Sequence, residues 1–159
     1  MSDFNIDKEY MQRALVLARE AADQGEVPVG AIVVLNNQII GQGYNQSISA
    51  KDPTAHAEII ALREAAKTVG NYRLLDATLY VTLEPCLMCV GAMVHARILR
   101  VVFGAHDPKT GAAESVGRFF ELPHWNHRVE MTGGVLSEPC CTVLTQFFKA
   151  LRAEASEKK

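Results

Sequence analysis

Residues 78–103 read TLYVTLEPCLMCVGAMVHARILRVVF. Thr78–Leu83 is a β-rich run, with Tyr80 and Val81 inside it. Pro85 suits the first turn of a following helix, where a missing N–H has no partner to lose. That helix is predicted to about Ala96, and Leu99–Phe103 is the next strand. A strand–helix–strand passage joins parallel neighbours and lays its helix on one face of the sheet. The stretch therefore predicts an α/β protein.

Working outward toward the N-terminus, Ala55–Thr68 is predicted as a helix, with Ile59, Leu62, Ala65 and Ala66 as its apolar stripe and Asp52-Pro53-Thr54 as its start. Before it, Val29–Leu35 and Gln38–Tyr44 are predicted to form a hairpin about Asn36-Asn37. A first helix is predicted over Asp7–Asp23 from the spacing of Met11, Ala14, Leu15, Ala18 and Ala21. Beyond Phe103, residues 104–127 are irregular, and Val129–Leu136 is a weak strand interrupted by Gly133-Gly134. A last helix starts near Ser137 and carries Cys140, Leu144, Phe147, Phe148 and Leu151, ending in a charged tail, Glu154–Lys159, that is expected to fray. The order predicts a single three-layer α/β/α domain over residues 1–159 with a mixed sheet.

A chain of 159 residues, 48% hydrophobic and 21% charged, is long enough for one real core and too apolar for a disordered protein. The formal net charge of −2 lacks the basic balance of a typical nucleic-acid binder, so any such partner must meet a local patch. Candidates for it are Arg73, Arg97, Lys109, Arg118, Arg128, Lys149 and Arg152. Met1–Lys8 is polar and acidic, unlike a secretory signal, and no apolar run reaches membrane-spanning length. Four cysteines in this context point to free thiols in a reducing, intracellular setting rather than to a disulfide framework.

His56-Ala57-Glu58 opens the second helix, and Cys86 and Cys89 stand at the start of the third. A spacing of three brings both sulfurs to one helix face, and the helix N-terminus favours their thiolates. With His56 they form a three-ligand set for zinc that leaves a position open, the mark of a catalytic site. A closed structural site would need a fourth ligand from His95, His106, His124, His127, Cys140 or Cys141, none of which stands in paired spacing with the three. A dithiol redox pair is the other reading of Cys-x-x-Cys, but it leaves His56-Ala57-Glu58 unexplained. On a regular helix, positions i and i+2 do not face each other. Glu58 can share a site with His56 only if the helix begins just there. It would then carry a proton for a metal-activated water, the alternative being a Glu that stabilises the helix dipole.

His-x-Glu followed by Pro-Cys-x-x-Cys resembles the signature of the zinc-dependent cytidine/deoxycytidylate deaminase superfamily, in which the Glu moves protons and is not a ligand. Within it, nearly the whole chain resembles the bacterial tRNA-specific adenosine deaminases. The resemblance is carried by residues 27–31 (VPVGA), 52–59 (DPTAHAEI), 71–74 (NYRL), 77–86 (ATLYVTLEPC), 109–113 (KTGAA) and 126–129 (NHRV). It implies a cytidine-deaminase-like fold with a mixed five-stranded sheet, one Zn2+ per subunit on His56, Cys86 and Cys89, a homodimer and a cytoplasmic setting without a membrane. It also implies hydrolytic deamination of adenosine to inosine at the wobble position of tRNA-Arg, with the anticodon stem-loop as partner. Zinc-activated water would attack C6, and Glu58 would shuttle the proton to N1 and then to the departing ammonia. Asn45 matches the position that hydrogen-bonds the flipped adenosine, although a loop-capping Asn is common too. Val29, Ala57 and Leu83 match the base-pocket lining. The Glu84 carbonyl and the Cys86 N–H match groups that hold water and amine. Ala105, Asp107, Lys109 and Phe148 match the RNA-facing side. A guanine or cytidine/deoxycytidylate deaminase, or a non-enzymatic zinc-stabilised nucleic-acid-binding module, are the rival readings. Residues 114–124 depart most from the pattern.

Overall fold

The computed structural model describes residues 3–158. In chain order the elements are α1 (Asp3–Asp23), β1 (Gly30–Leu35), β2 (Gln38–Tyr44), α2 (Ala57–Val69), β3 (Thr78–Leu83), α3 (Leu87–His95), β4 (Arg100–Ala105), a 3-10 turn (Phe119–Glu121), β5 (Glu130–Thr132) and α4 (Ser137–Glu157). The five strands form one sheet in the order β2-β1-β3-β4-β5. The pairs β1–β2 and β1–β3 are antiparallel, while β3–β4 and β4–β5 are parallel. The architecture is the mixed five-stranded α/β fold expected.

Period-two alternation sorts the strand residues onto two cores. Ala31, Val33, Leu79, Val81, Val101 and Phe103 face Leu62 and Ala65 of α2 and Val90 and Met93 of α3. Ile32, Val34, Tyr80 and Val102 face Met11 and Leu15 of α1 and Cys140 of α4. Two glycines let helices approach the sheet closely. A Cβ on Gly30 would lie 2.0 Å from Ala14 O of α1, and one on Gly41 would lie 2.3 Å from Ala61 O of α2. The hairpin turn is made by Asn36 and Asn37, both at positive φ (51° and 61°), the pattern of a type I′ turn.

Several boundaries differ from the sequence expectation. Helix α1 begins at Asp3, and its buried Asp7 accepts both Arg100 guanidinium nitrogens at 3.0 and 2.6 Å and the Tyr80 hydroxyl at 2.9 Å. Helix α2 starts at Ala57, not Ala55, because Asp52 first closes a turn on the N–H and hydroxyl of Thr54. Pro85 lies outside α3, whose N-cap is Cys86. Strand β4 extends to Ala105, whereas β5 keeps only three residues before Gly133 meets the Phe103 ring and Gly134 turns at φ 83°. The tail expected to fray is helical to Glu157; Lys159 lies outside the described residues.

What matters for the site is one end of the sheet. The parallel strands β3 and β4 end there at Leu83 and Ala105, joined past their last pair by Glu84 N–H on Ala105 O at 2.8 Å. Because β1 runs antiparallel to β3, its beginning at Gly30 and the end of β2 at Tyr44 arrive at the same edge. The Gly30 N–H donates to Thr82 Oγ1 there at 3.1 Å. The loops after β2, β3 and β4 therefore share the carboxyl end of the parallel strands, the usual place for a ligand in such a sheet.

Candidate active site

Two helix starts face each other at this end. His56 is the N-cap of α2 and Cys86 the N-cap of α3, both in extended backbone, and neither side chain turns back to cap its own helix. They point instead at one another. His56 Nδ1 lies 3.6 Å from Cys86 Sγ and 3.6 Å from Cys89 Sγ, and the three ligand atoms fall within 4.8 Å of one another. A tetrahedral zinc at ordinary bond lengths, about 2.3 Å to sulfur and 2.0–2.1 Å to nitrogen, would separate sulfur and nitrogen by about 3.5–3.6 Å. The spacing of the donor set thus fits zinc. Among the described residues, no fourth His, Cys, Asp or Glu joins the group. Of the reserve ligands, Cys140 is buried against Gly104, Cys141 is exposed, and His127 meets the Ile98 carbonyl.

The charges suit a cation. The thiol of Cys89 donates to Cys86, which brings the Cys86 thiol down to about 4 with further help from His56. Cys89 is pushed up by that same donation and by its burial. His56 is raised by its hydrogen bond with Cys86, against the opposing effect of burial. Cys86 is thus the readiest thiolate of the trio, and a metal would displace the protons that the shifts favour on Cys89 and His56.

Glu58 answers the spacing problem. His56 is extended, so only Glu58 lies within the helix, at its second position, and both side chains reach the same cavity. Glu58 is 4% exposed. Burial raises its carboxyl above the ordinary range, against the pull of its own backbone N–H and of His56. The cavity, about 210 Å³, is lined by Val27, Val29, Asn45, Ser47, His56, Glu58, Leu83, Glu84, Cys86, Asp107 and Thr110.

The sequence matches the MafB19-like deaminase family over residues 5–152. It is 54% identical to the tRNA-specific adenosine deaminase of Haemophilus influenzae over 97% of this chain and 90% of that one. The Bacillus subtilis tRNA-specific adenosine deaminase is 44% identical over 92% of this chain and 91% of its own. The chain belongs to the tRNA-specific adenosine deaminase family. A solved tRNA:A34 deaminase, studied for A-to-I editing at the wobble position, superposes with a TM-score of 0.83 at 44% identity, covering 86% of this chain and all but 1% of the other. A guanine deaminase from Nitrosomonas europaea shares the fold, with a TM-score of 0.74 at 23% identity over 88% and 83% of the two chains.

In this deaminase the expected site residues divide into three groups. Val29, Asn45, Leu83, Glu84 and Asp107 line the cavity with Glu58 and the ligand set. Ala57 and Ala105 do not line it. Ala57 is buried in the core and gives its N–H to Asn45 Oδ1 at 2.8 Å, while Ala105 sits under the sheet end with its carbonyl on Glu84. Lys109 and Phe148 lie apart in a neighbouring groove with Leu144, Thr145 and Arg152. His106 reaches Glu114 at 3.2 Å and sets its ring edge against Phe103. Sequence reasoning missed Val27, Ser47 and Thr110 in the lining, and also what the buried carboxylates of Glu26 and of the expected Glu84 hold in place. Glu26 accepts the N–H groups of Ile48 and Ser49 at 3.1 and 2.7 Å, and Glu84 gathers the 107–115 loop. Their signal was an acidic residue beside apolar ones, in Glu26-Val27-Pro28-Val29 and Thr82-Leu83-Glu84-Pro85. A charge there needs buried partners.

Proposed function

We propose that this enzyme hydrolyses adenosine to inosine and ammonia at the wobble position of a tRNA-Arg anticodon. The observation that carries the reading is the convergence of a three-ligand donor set with a buried, non-ligating Glu58 in a cavity also lined by Asn45. The cavity suits one base turned out of its strand, not a helix of nucleic acid, and the relatives' tRNA substrates agree with that.

His56, Cys86 and Cys89 would hold the zinc, which lowers the pKa of a water to roughly 7. Glu58 takes the proton released as the water oxygen bonds to C6 of the base and places it on N1. It then delivers the second proton of that oxygen to the exocyclic amine, which leaves as ammonia when the C6–N bond breaks, so atoms and charge balance. Burial raises the Glu58 carboxyl above the ordinary carboxylate range, which supports a group that can give back the proton it accepts. Asn45 orients the base with its amide, Val29 and Leu83 press on the ring, and the Glu84 carbonyl and Cys86 N–H hold water and amine. Asp107 meets the RNA at the mouth, with Lys109 and Phe148 beyond it. Ala57 supports the pocket floor through Asn45, and Ala105 anchors the strand end. Residues 1–159 act as one deaminase domain.

The largely apolar groove between α2 and α3, lined by Ile59, Leu62, Ala66, Tyr72, Ala92 and Ala96 with Arg63 and His95 among them, supports a homodimer. Among the described residues no helix is long and apolar enough to cross a membrane. The tRNA substrate supports action in the cytoplasm. Incubation with the tRNA-Arg anticodon stem-loop is expected to release ammonia and leave inosine at the first anticodon position. Turnover of free guanine or cytidine without modification of the RNA would overturn the reading.

A further inference from the structure

The Glu84 side chain, although it follows the strand that leads to the metal ligands, spends all its hydrogen bonding on another segment. Its Oε1 accepts the Asp107 N–H at 3.0 Å and the Ser115 hydroxyl. Its Oε2 accepts the N–H groups of Ala113, Glu114 and Ser115 at 3.2, 2.8 and 2.9 Å. Gly111 lies against the carboxylate so closely that a Cβ there would stand 2.3 Å from Glu84 Cδ and 2.4 Å from Oε1. The neighbouring Pro85 carbonyl accepts the Ala112 N–H at 2.8 Å. The segment from Asp107 to Ser115 is thus wound around one buried carboxylate, which is 3% exposed. No regular structure lies between Asp107 and Ser115 to hold it otherwise. That segment supplies Asp107 and Thr110 to the wall of the cavity, and two residues beyond Glu84 stands the ligand Cys86.

We infer that Glu84 is a positioning residue that fixes the substrate-facing 107–115 loop against the metal-ligand segment, and so sets how tightly the RNA is held. Asp107 belongs to this arrangement: its own carboxylate accepts the Lys109 and Thr110 N–H groups and the Thr110 hydroxyl, so it shapes the turn that Glu84 pins. The reacting base would be unaffected by the carboxylate itself, which points away from it into the loop. Loss of the clamp shifts a wall, and shifts of this kind act first on binding when the reacting groups stay in place.

The inference rests on the tRNA reading and is tested with it. Glu84→Gln is the direct variant. An amide has one oxygen; turned to serve the three N–H groups on the Oε2 side, it presents NH2 to the Asp107 N–H and releases that contact. Gly111→Ala forces the same side apart with a methyl group and alters no charge. Steady-state deamination of the tRNA-Arg anticodon stem-loop, with zinc content and thermal unfolding, reads the outcome. Each variant is expected to raise KM about tenfold or more with zinc at the parent level, and in Gly111→Ala, which alters no group placed against the substrate, kcat stays within about threefold. The double variant is expected to be no worse than the worse single one, since both break one contact. Unchanged KM in Glu84→Gln, or lost kcat or zinc at constant KM, overturns the clamp. If both variants unfold, Ser115→Ala decides, with a rise in KM of about two- to fivefold supporting it and no rise overturning it. A parent protein inactive on the stem-loop overturns the substrate reading instead, which separates the two failures.

Discussion

Asn45 Oδ1 accepts the Ala57 N–H, so the amide is oriented by the first turn of α2 and its nitrogen is the end left to face the cavity it lines. The two readings open at the sequence level, loop cap and substrate contact, are therefore compatible in one side chain. Asn45→Asp separates them. The carboxylate still accepts the Ala57 N–H, but it loses the amide donor and brings a negative charge toward Glu58. The fold is expected to survive while kcat/KM on the stem-loop falls about 10- to 100-fold, as for a lost buried hydrogen bond; an unaltered kcat/KM would leave Asn45 as a cap only. Glu58→Gln is expected to keep parent-level zinc and lose about 10²- to 10⁴-fold in kcat, the range for a missing proton-transfer group. Zinc analysis and single-turnover rates check it, and full turnover would remove Glu58 from the proton path. Glu26 gives a pH prediction. Burial alone would raise its carboxyl, but the N–H groups of Ser49 and Ile48 hold it below its ordinary value. A depressed folded pKa contributes stability that is full above the unfolded value, about 4.3, and is lost as pH falls through the folded one. The stability difference between parent and Glu26→Gln, from urea titrations, should be constant above about pH 5 and shrink below it.

At the level of elements, residues 78–103 made the crossover legible because a strand and a helix differ in period, and the β3 boundaries, Thr78–Leu83, are those predicted. Helix starts were harder to read. Which residue ends a loop depends on side chains far along the chain, as Asn45 does for α2 and as Glu84 does for the 107–115 segment. The clustering of His56, Cys86 and Cys89 was legible because its spacing reflects helix-end chemistry, whereas the lining from Ser47 and Thr110 rests on loops that no periodicity describes. Close helix–sheet approach also leaves little trace beyond a glycine. Gly41 in β2 faces α2 so directly that a methyl group would stand 2.3 Å from Ala61 O and 2.6 Å from Ala65 N, both backbone atoms that cannot swing aside. Gly41→Ala is expected to cost about 1–3 kcal/mol, a fall in Tm of about 3–10 °C. Calorimetry measures it, and an unchanged Tm would mean that α2 is free to slide on the sheet.

The whole molecule carries a formal charge of −2, yet its relatives act on a polyanion. Several of the cations suggested by sequence already have partners. Arg118 is tied to Glu121, Arg128 donates to the carbonyls of Phe120 and Leu122, and Arg73 donates to the Tyr72 hydroxyl. Lys109 and Arg152 differ, since they share a groove with Phe148, and Lys109 adjoins Thr110 of the cavity wall. That groove offers two positive charges and an aromatic face, suited to a few splayed nucleotides and not to a long duplex. A small patch on a weakly acidic body has a consequence that a uniformly basic protein would not share: affinity should depend on salt, but modestly. Each phosphate neutralised on a single strand contributes about −0.7 to the slope of log K against log salt. Two to four contacts therefore predict a slope of about −1.4 to −2.8 for the anticodon stem-loop. Lys109→Ala and Arg152→Ala should each lower its magnitude by about 0.7 to 1 and weaken binding to different loop sequences alike, because phosphate contacts carry no sequence information. Fluorescence titrations at several salt concentrations measure the slope. A flat response would put recognition on base edges and stacking alone, and a slope unaltered in both variants would move the phosphate contacts away from the groove.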